Sequence, residues 1–361
     1  MNPRRIVILA VAAVVAIVAA VLLANRATRG TPGANELLYP DLKAQADSVT
    51  AIRIYGAGDA RALEIVRHGA DWTLTQRNGY PIASVKARNL VRALSSAKIL
   101  EEKTADASKY ATLSVEDVSD ANAQGVRIEL EGPATAVNLI VGKDGPGGKS
   151  SYVRRAGEPK SWLIGEQLSA STEARDWLQK DIVNVSADRI HSGTIAIAAQ
   201  KPYTAAKTTR ADADFKIESL PRGKELASAS AANGVATALL DLSLDDVRPK
   251  TELATDKPSA QATFKTFDGL VVQLEGFTSD DKHYVTVTTS YDAALAERFE
   301  VKVDAAANEA PKAEGLASES SASNVEDEAK TTAAKLAGWA YEIPGYKYDA
   351  IFRPLDEMLQ K

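Results

Sequence analysis

Val49-Thr-Ala-Ile-Arg-Ile54 alternates small or apolar with polar side chains, and Val185-Ser-Ala-Asp-Arg-Ile190 repeats its outline later in the chain. Alternation of period two is the mark of a half-buried strand. After the first copy come Ala62-Leu-Glu-Ile-Val66 and Asp71-Trp-Thr-Leu-Thr-Gln76, both strand-like. Ser84 then serves as an N-cap for a helix in which Ala87, Leu90, Val91 and Leu94 take i, i+3, i+4, i+7 spacing, with Lys86, Arg88 and Arg92 facing water. Beyond a loop centred on Tyr110, Val126–Leu130, Val137–Val141, Ser151–Arg154 and Ser161–Ile164 read as an antiparallel meander. Leu168 to Leu178 reads as a closing helix.

The second copy has the same plan. Asp214-Phe-Lys-Ile217 takes the place of Asp71-Trp-Thr-Leu74, and Val235, Ala238, Leu239 and Leu242 give another apolar stripe. Ala262–Gly269, Val271–Leu274 and His283–Val287 stand for the meander. Trp339-Ala-Tyr-Glu-Ile343 and a helix-like Tyr348–Leu359 close the unit. Equivalent positions lie about 132–145 residues apart, which is a duplicated domain rather than a solenoid period. The expected fold is α+β: an N-terminal transmembrane helix, then two related units of largely antiparallel sheet with helices packed on one face. The units are expected at 49–183 and 184–361, after a tail and anchor at 1–29 and a linker at 30–48. An Ala/Glu/Ser-rich insertion at 304–335 has almost no large apolar residue. It is expected to be a mobile or weakly helical excursion, with partner binding as its functional reading.

The chain opens Met-Asn-Pro-Arg-Arg, and Ile6 to Ala24 then runs without a charged or strongly polar residue. Nineteen residues of helix cover about 28 Å at 1.5 Å each, close to the thickness of a bilayer core. A cleaved signal peptide has a shorter apolar run ending in small residues, and Leu22-Leu-Ala-Asn-Arg26 makes a poor cleavage site. The run is therefore expected to be an uncleaved anchor. Ala10, Ala13, Ala16, Ala19 and Ala20 offer it close helix contacts. Arg4 and Arg5 before it balance Arg26 and Arg29 after it. The short leading tail, rather than charge, places residues 30–361 across the membrane. The expected location is the bacterial inner membrane, single-pass, with the bulk of the chain periplasmic.

Past residue 29 the chain holds 39 basic and 48 acidic residues, a net charge of −9. That composition argues against nucleic acid, which needs a basic footprint, and against broad adhesion to anionic membranes. Zero cysteines remove thiol chemistry, and the scattered His68, His191 and His283 argue against zinc.

Several of these stretches together resemble the domain-of-unknown-function 4340 family. They are Leu37-Leu-Tyr-Pro-Asp-Leu42 followed by Val49–Ile54, Trp72 after a strand, the Val85–Ala97 helix, the Tyr110 loop, and the strands ending in Trp162-Leu-Ile164. The resemblance implies a single-anchor envelope protein associated with ABC transport systems of the gliding-motility type, and it supplies no catalytic residues.

Val141-Gly-Lys-Asp-Gly-Pro-Gly-Gly-Lys-Ser150 approaches a phosphate-binding loop, but the glycine spacing is wrong and a strand comes next where a helix is needed. It reads as a glycine-rich hairpin. Asp245-Asp246 and Asp280-Asp281 are adjacent pairs, whereas hydrolytic carboxylates face each other about 5–9.5 Å apart. They read as turn residues. The aromatics Trp72, Trp162, Trp177, Trp339, Tyr341, Tyr346, Tyr348 and Phe352 read as core rather than as a glycan-binding belt. No catalytic, cofactor or metal residue is assigned. The expected function is a non-enzymatic accessory of an ABC-type transport or motility complex, partnered by permease or related subunits. The alternatives are a ligand- or glycan-binding module using a groove between the units and, last, an envelope hydrolase.

Overall fold

The computed structural model describes residues 35–253, 257–299 and 322–360. The predicted anchor at Ile6–Ala24 lies outside them, and no described helix is long and apolar enough to cross a membrane. The chain divides into two compact units, Met1–Leu178 and Gln179–Lys361. The division falls a few residues before the expected one, because Asp181–Val183 (β10) pairs with Leu242–Ser243 (β14) of the second unit.

The first unit is a nine-stranded antiparallel sheet. In chain order its strands are Ala51–Gly56 (β1), Ala60–His68 (β2), Asp71–Leu74 (β3), Tyr80–Pro81 (β4), Ile99–Glu102 (β5), Val126–Glu131 (β6), Val137–Asp144 (β7), Ser151–Arg155 (β8) and Ser161–Ile164 (β9). In space they run β4-β3-β2-β1-β6-β7-β8-β9-β5. The helix Ser84–Ser96 (α1) joins β4 at one edge to β5 at the other. A flat sheet would separate those edges by about 38 Å at 4.8 Å per strand. Thirteen helical residues cover about 18 Å from first Cα to last, and the three Cα steps at each end together add about 20 Å when extended. The connection is therefore only just long enough to span the sheet from edge to edge. Ala87, Leu90, Val91 and Leu94 are the buried stripe, each large aliphatic side chain contributing roughly 2 kcal/mol. Ser84 is the first helical residue and makes no capping bond, contrary to expectation.

The second unit has an eight-stranded sheet built from Ile190–Ile197 (β11), Tyr203–Ala206 (β12), Lys216–Ile217 (β13), Asp246–Pro249 (β15), Ala260–Thr266 (β16), Leu270–Ser279 (β17), Lys282–Tyr291 (β18) and Trp339–Ile343 (β19). Its order is β13-β12-β11-β16-β17-β18-β19-β15. Apart from β4, this is the order of the first sheet, strand for strand. In both, the short strand after the helical connection pairs with the last strand of the meander.

Several local expectations are corrected. The stretch Leu168–Leu178 is not a helix but a strap with a single 3-10 turn at Ala174–Asp176. Its hydroxyls compete for the backbone: Ser171 Oγ accepts from Glu173 N at 3.0 Å and donates to Asp176 at 2.6 Å. In the second unit Val235, Ala238, Leu239 and Leu242 are all buried, yet regular helix covers only Gly234–Thr237 (α2), and Leu242 belongs to β14. Asp241, in the left-handed region at φ 49°, separates the two. The closing segment is helical at Gly345–Ile351 (α4), and Pro354, which has no N–H to give, precedes a 3-10 turn at Leu355–Met358.

Part of the expected linker packs into the first unit, and of the expected insertion, residues 304–321 lie outside the described residues. Within the expected linker 30–48, Leu38, Tyr39 and Leu42 are buried in the first unit. The insertion's last part is the fifteen-residue helix Ala322–Leu336 (α3), with Val325, Ala329 and Leu336 buried. Thr289 Oγ1 donates to the Ala329 carbonyl at 2.7 Å, and Arg189 holds Glu328 through both Nη atoms at 3.0 and 2.9 Å while its Nε reaches Asp268 at 2.8 Å. Small alanines let the helix lie close to the strands, so little apolar surface suffices. In the same sheet, Gly276 is bare backbone beneath α4: a Cβ there would sit 2.6 Å from Tyr348 Oη and 2.7 Å from the Phe352 ring.

Arg189 ties α3 to the sheet across 139 residues of sequence. Charge-assisted hydrogen bonds of this kind contribute about 1.5–3 kcal/mol each. Arg189→Met is expected to cost about 2–3 kcal/mol and to speed amide exchange selectively in residues 325–336. Unchanged exchange there would remove the clamp from the account.

Candidate functional site

The described chain begins at the edge of the first sheet. Asn35 N donates to the Ile99 carbonyl at 2.7 Å, Ile99 N to Glu36 at 2.8 Å and Leu38 N to Ala97 at 2.7 Å, so residues 35–38 lie alongside β5. Arg155, at the end of β8, fixes Leu38 and Tyr39. Its Nη2 donates to the Leu38 carbonyl at 2.5 Å, and its guanidinium stands 5.4 Å from the Tyr39 ring and 5.1 Å from the Trp162 ring. Planar, permanently charged arginine suits such stacking between aromatics. Burial pushes the Tyr39 phenol up to about 12, and its hydroxyl has no hydrogen-bond partner among the described residues.

The neighbouring Arg154 is buried and points to the other face of the sheet. Its Nε donates to the Val115 carbonyl at 2.8 Å, Nη1 to the Glu158 carbonyl at 3.0 Å and Nη2 to Asp117 at 2.6 Å, with the Tyr110 ring 4.5 Å away. Tyr110, Val115 and Ile140 form a small core there, and Tyr110 Oη donates to the Pro159 carbonyl at 2.6 Å. The backbone passes so close that a Cβ on Gly142 would lie 2.2 Å from the Leu113 carbonyl oxygen. The rest of that face carries paired charges. Arg53 bridges Glu64 at 2.8 Å and also meets Glu131, while Arg127 binds Asp59 at 2.6 Å and lies 3.9 Å over Tyr55.

A cleft of about 500 Å³ lies between α1 and the strap 165–177. Lys86, Asn89 and Arg92 face Glu166, Asp176 and the buried Trp177 across it. Lys86 donates to the Asp176 carbonyl, Ser96 Oγ to Glu166 at 3.0 Å, and Ser171 to the Asp176 carboxylate. Serine and aspartate thus meet, but among the described residues no histidine lines the cleft to act as the base of a nucleophilic triad. The arrangement can hold polar or charged groups.

The other residues weighed from sequence lie apart. His68 ends β2 in solvent. His191 packs edge-on against Phe267 at 5.2 Å, and burial lowers its pKa. His283 stacks on Tyr348 at 4.5 Å. Among the described residues no three metal-ligating side chains come together. Asp280 and Asp281, at φ 52° and 59°, make the tight turn between β17 and β18, where two successive left-handed residues match the twist of the hairpin. Asp245 and Asp246 lead into the edge strand β15. The glycine-rich segment after Val141 is a hairpin closed by Gly145 N to the Ser150 carbonyl at 2.8 Å. Trp72, Trp162, Trp177, Tyr341, Tyr348 and Phe352 are buried, Trp339 is half-buried, and Tyr346 is exposed. Sequence reasoning misses Arg154 and Arg155, whose only signal is an Arg-Arg pair ending a strand.

Residues 72–262, more than half of the chain, match the family described as Domain of unknown function (DUF4340). The chain belongs to that family. Comparison with curated proteins gives no match, and comparison with solved structures gives none. The DUF4340 match starts in β3 and ends in β16, so it draws on both units.

The Tyr39 clasp makes a pH-dependent prediction. A phenol whose folded pKa is raised from 10 to about 12 gives stability that is complete below pH 10 and is lost as pH rises toward 12. Tyr39→Phe should flatten that alkaline loss and change stability at pH 7 by less than about 1 kcal/mol, since no hydrogen bond is removed. Tyr39→Ala should cost about 3–5 kcal/mol by emptying the space beneath Arg155. Urea midpoints measured from pH 7 to 11.5 check both, and equal losses for Phe and Ala would contradict the packing account.

Proposed function

We propose that this DUF4340 protein is a non-enzymatic, membrane-anchored extracytoplasmic component of an ABC-type transport or motility complex. The observation that carries the reading is the uncharged run Ile6–Ala24 standing directly ahead of the fold, with only ten residues between it and Asn35. A nineteen-residue apolar run is long enough for a bilayer core. On this reading the anchor enters the bacterial inner membrane, and both sheet units lie in the periplasm beside the membrane subunits they serve.

The chemistry of the fold supports a scaffold. Arg154, Arg155 and Arg189 hold loops, the first segment and α3 in place. The carboxylates singled out from sequence shape turns and strand edges. Membership in the family supports the transporter association only through the resemblance of its members to envelope accessories.

Affinity purification of the tagged full-length protein in mild detergent should recover an ABC permease or its ATPase, and deletion of the protein should impair assembly of that complex. Recovery of no transporter subunit, together with normal assembly in the deletion strain, would sink the accessory role.

A further inference from the structure

We propose that the outward face of α1, with Lys98 and Leu100 beside it, docks on anionic phospholipid headgroups of the membrane that holds the chain's own anchor. This inference rests on reading Ile6–Ala24 as that anchor. It adds which surface of the first unit meets the membrane, and by what chemistry.

The first argument is reach. Ala24 and Asn35 are joined by residues 25–34, so their Cα atoms stand at most about 40 Å apart. Asn35 is bonded to Ile99, and Leu37 bridges Lys98, so the tether arrives at the β5 edge. The end of α1 is adjacent: Leu38 N donates to the Ala97 carbonyl immediately after the helix. This surface is confined near the bilayer by covalent length alone, which raises its effective concentration there.

The second argument is charge. Helix α1 carries Lys86, Arg88 and Arg92 and no carboxylate, and Lys98 comes just after it. The side chains of Arg88, Arg92 and Lys98 are exposed and have no hydrogen-bond or ionic partner among the described residues. Of the nearby acids Glu166 is engaged by Ser96, Asp176 by Ser171 and Glu101 by Lys103 at 2.6 Å, and Glu36, whose carbonyl accepts from Ile99 N, is a single exposed carboxylate set against the four cations. The tether adds Arg26 and Arg29 and no acid. A net charge of −9 past residue 29 works against general adhesion, so attraction is limited to this face.

The third argument is apolar. Val85 on α1 and Leu100 on β5 are 52% and 44% exposed, two of the few large apolar side chains the described fold leaves in solvent. Exposed apolar groups flanked by lysine and arginine are the composition of surfaces that settle at the headgroup boundary. Leu100 also lies over Gly165, where the strap beside the cleft begins: a Cβ added to that glycine would stand 3.3 Å from the Leu100 side chain.

The chain contains no cysteine, so Leu100→Cys provides a unique labelling site. The full-length protein would be placed in nanodiscs of phosphatidylcholine, with or without phosphatidylglycerol, and a fluorophore at position 100 read against a headgroup-borne quencher. A label at His68→Cys, on β2 away from the β5 edge in the strand order, is the reference. Quenching at 100 should appear only in the anionic discs and vanish near 1 M salt, where the Debye length is about 3 Å. Arg88→Gln, Arg92→Gln and Lys98→Gln should each lower the docked-to-free ratio about five-fold, without moving the reference. Equal quenching in both lipids overturns the proposal, as does a face held by a partner protein, which would show no lipid dependence. A chain that fails to enter either disc overturns the anchor reading and this proposal with it.

Discussion

Both units depend on one constraint, the pairing of the strand after the helical connection with the last strand of the meander. β5 joins β9 through Ile99↔Ile164 and Glu102↔Trp162, and β15 joins β19 through Asp246↔Glu342 and Pro249↔Trp339. In the first unit this pairing sends α1 from one sheet edge to the other. The apolar stripe of α1 is buried, and its basic side is left in solvent. The core and the candidate site are two faces of one helix.

That arrangement also determines where the N-terminal segment can attach. With β5 at an edge, its free side accepts residues 35–38, and Arg155 locks Leu38 and Tyr39 behind them. Leu37-Leu-Tyr-Pro-Asp-Leu42 is therefore a structural closure of the first unit, not a spacer. On the proposed anchoring, any pull along residues 25–34 acts first on this edge. It carries backbone hydrogen bonds and a guanidinium set between two aromatic rings, a stiffer attachment than loose chain.

Strands with two neighbours and clean alternation are readable from sequence, among them Val49–Ile54 and the meander of each unit. So is α1, whose apolar spacing is regular. β5 and β15 are not, because Ile99-Leu-Glu-Glu and Asp246-Val-Arg-Pro are short and unpatterned and find their partners tens of residues away. The strap at 168–178 has helix-like spacing, but its Ser171 hydroxyl bonds the local backbone and Asp176 instead. Helix α3 is poor in apolar residues and gives little sign in sequence that it packs. Its burial needs only Val325, Ala329 and Leu336, together with an arginine far away in sequence. The cleft is illegible for a related reason: it joins the polar side of one helix to a strap whose spacing imitates a second helix.

The proposed function finally depends on which side of the membrane the fold occupies. Arginines flank Ile6–Ala24 on both sides and do not decide it. Paired reporters fused after Lys361, one active only in the cytoplasm and one only outside it, measure this directly. The account predicts activity from the extracytoplasmic reporter alone. Activity from the cytoplasmic reporter alone would reverse the orientation and contradict a role beside the periplasmic face of a transporter.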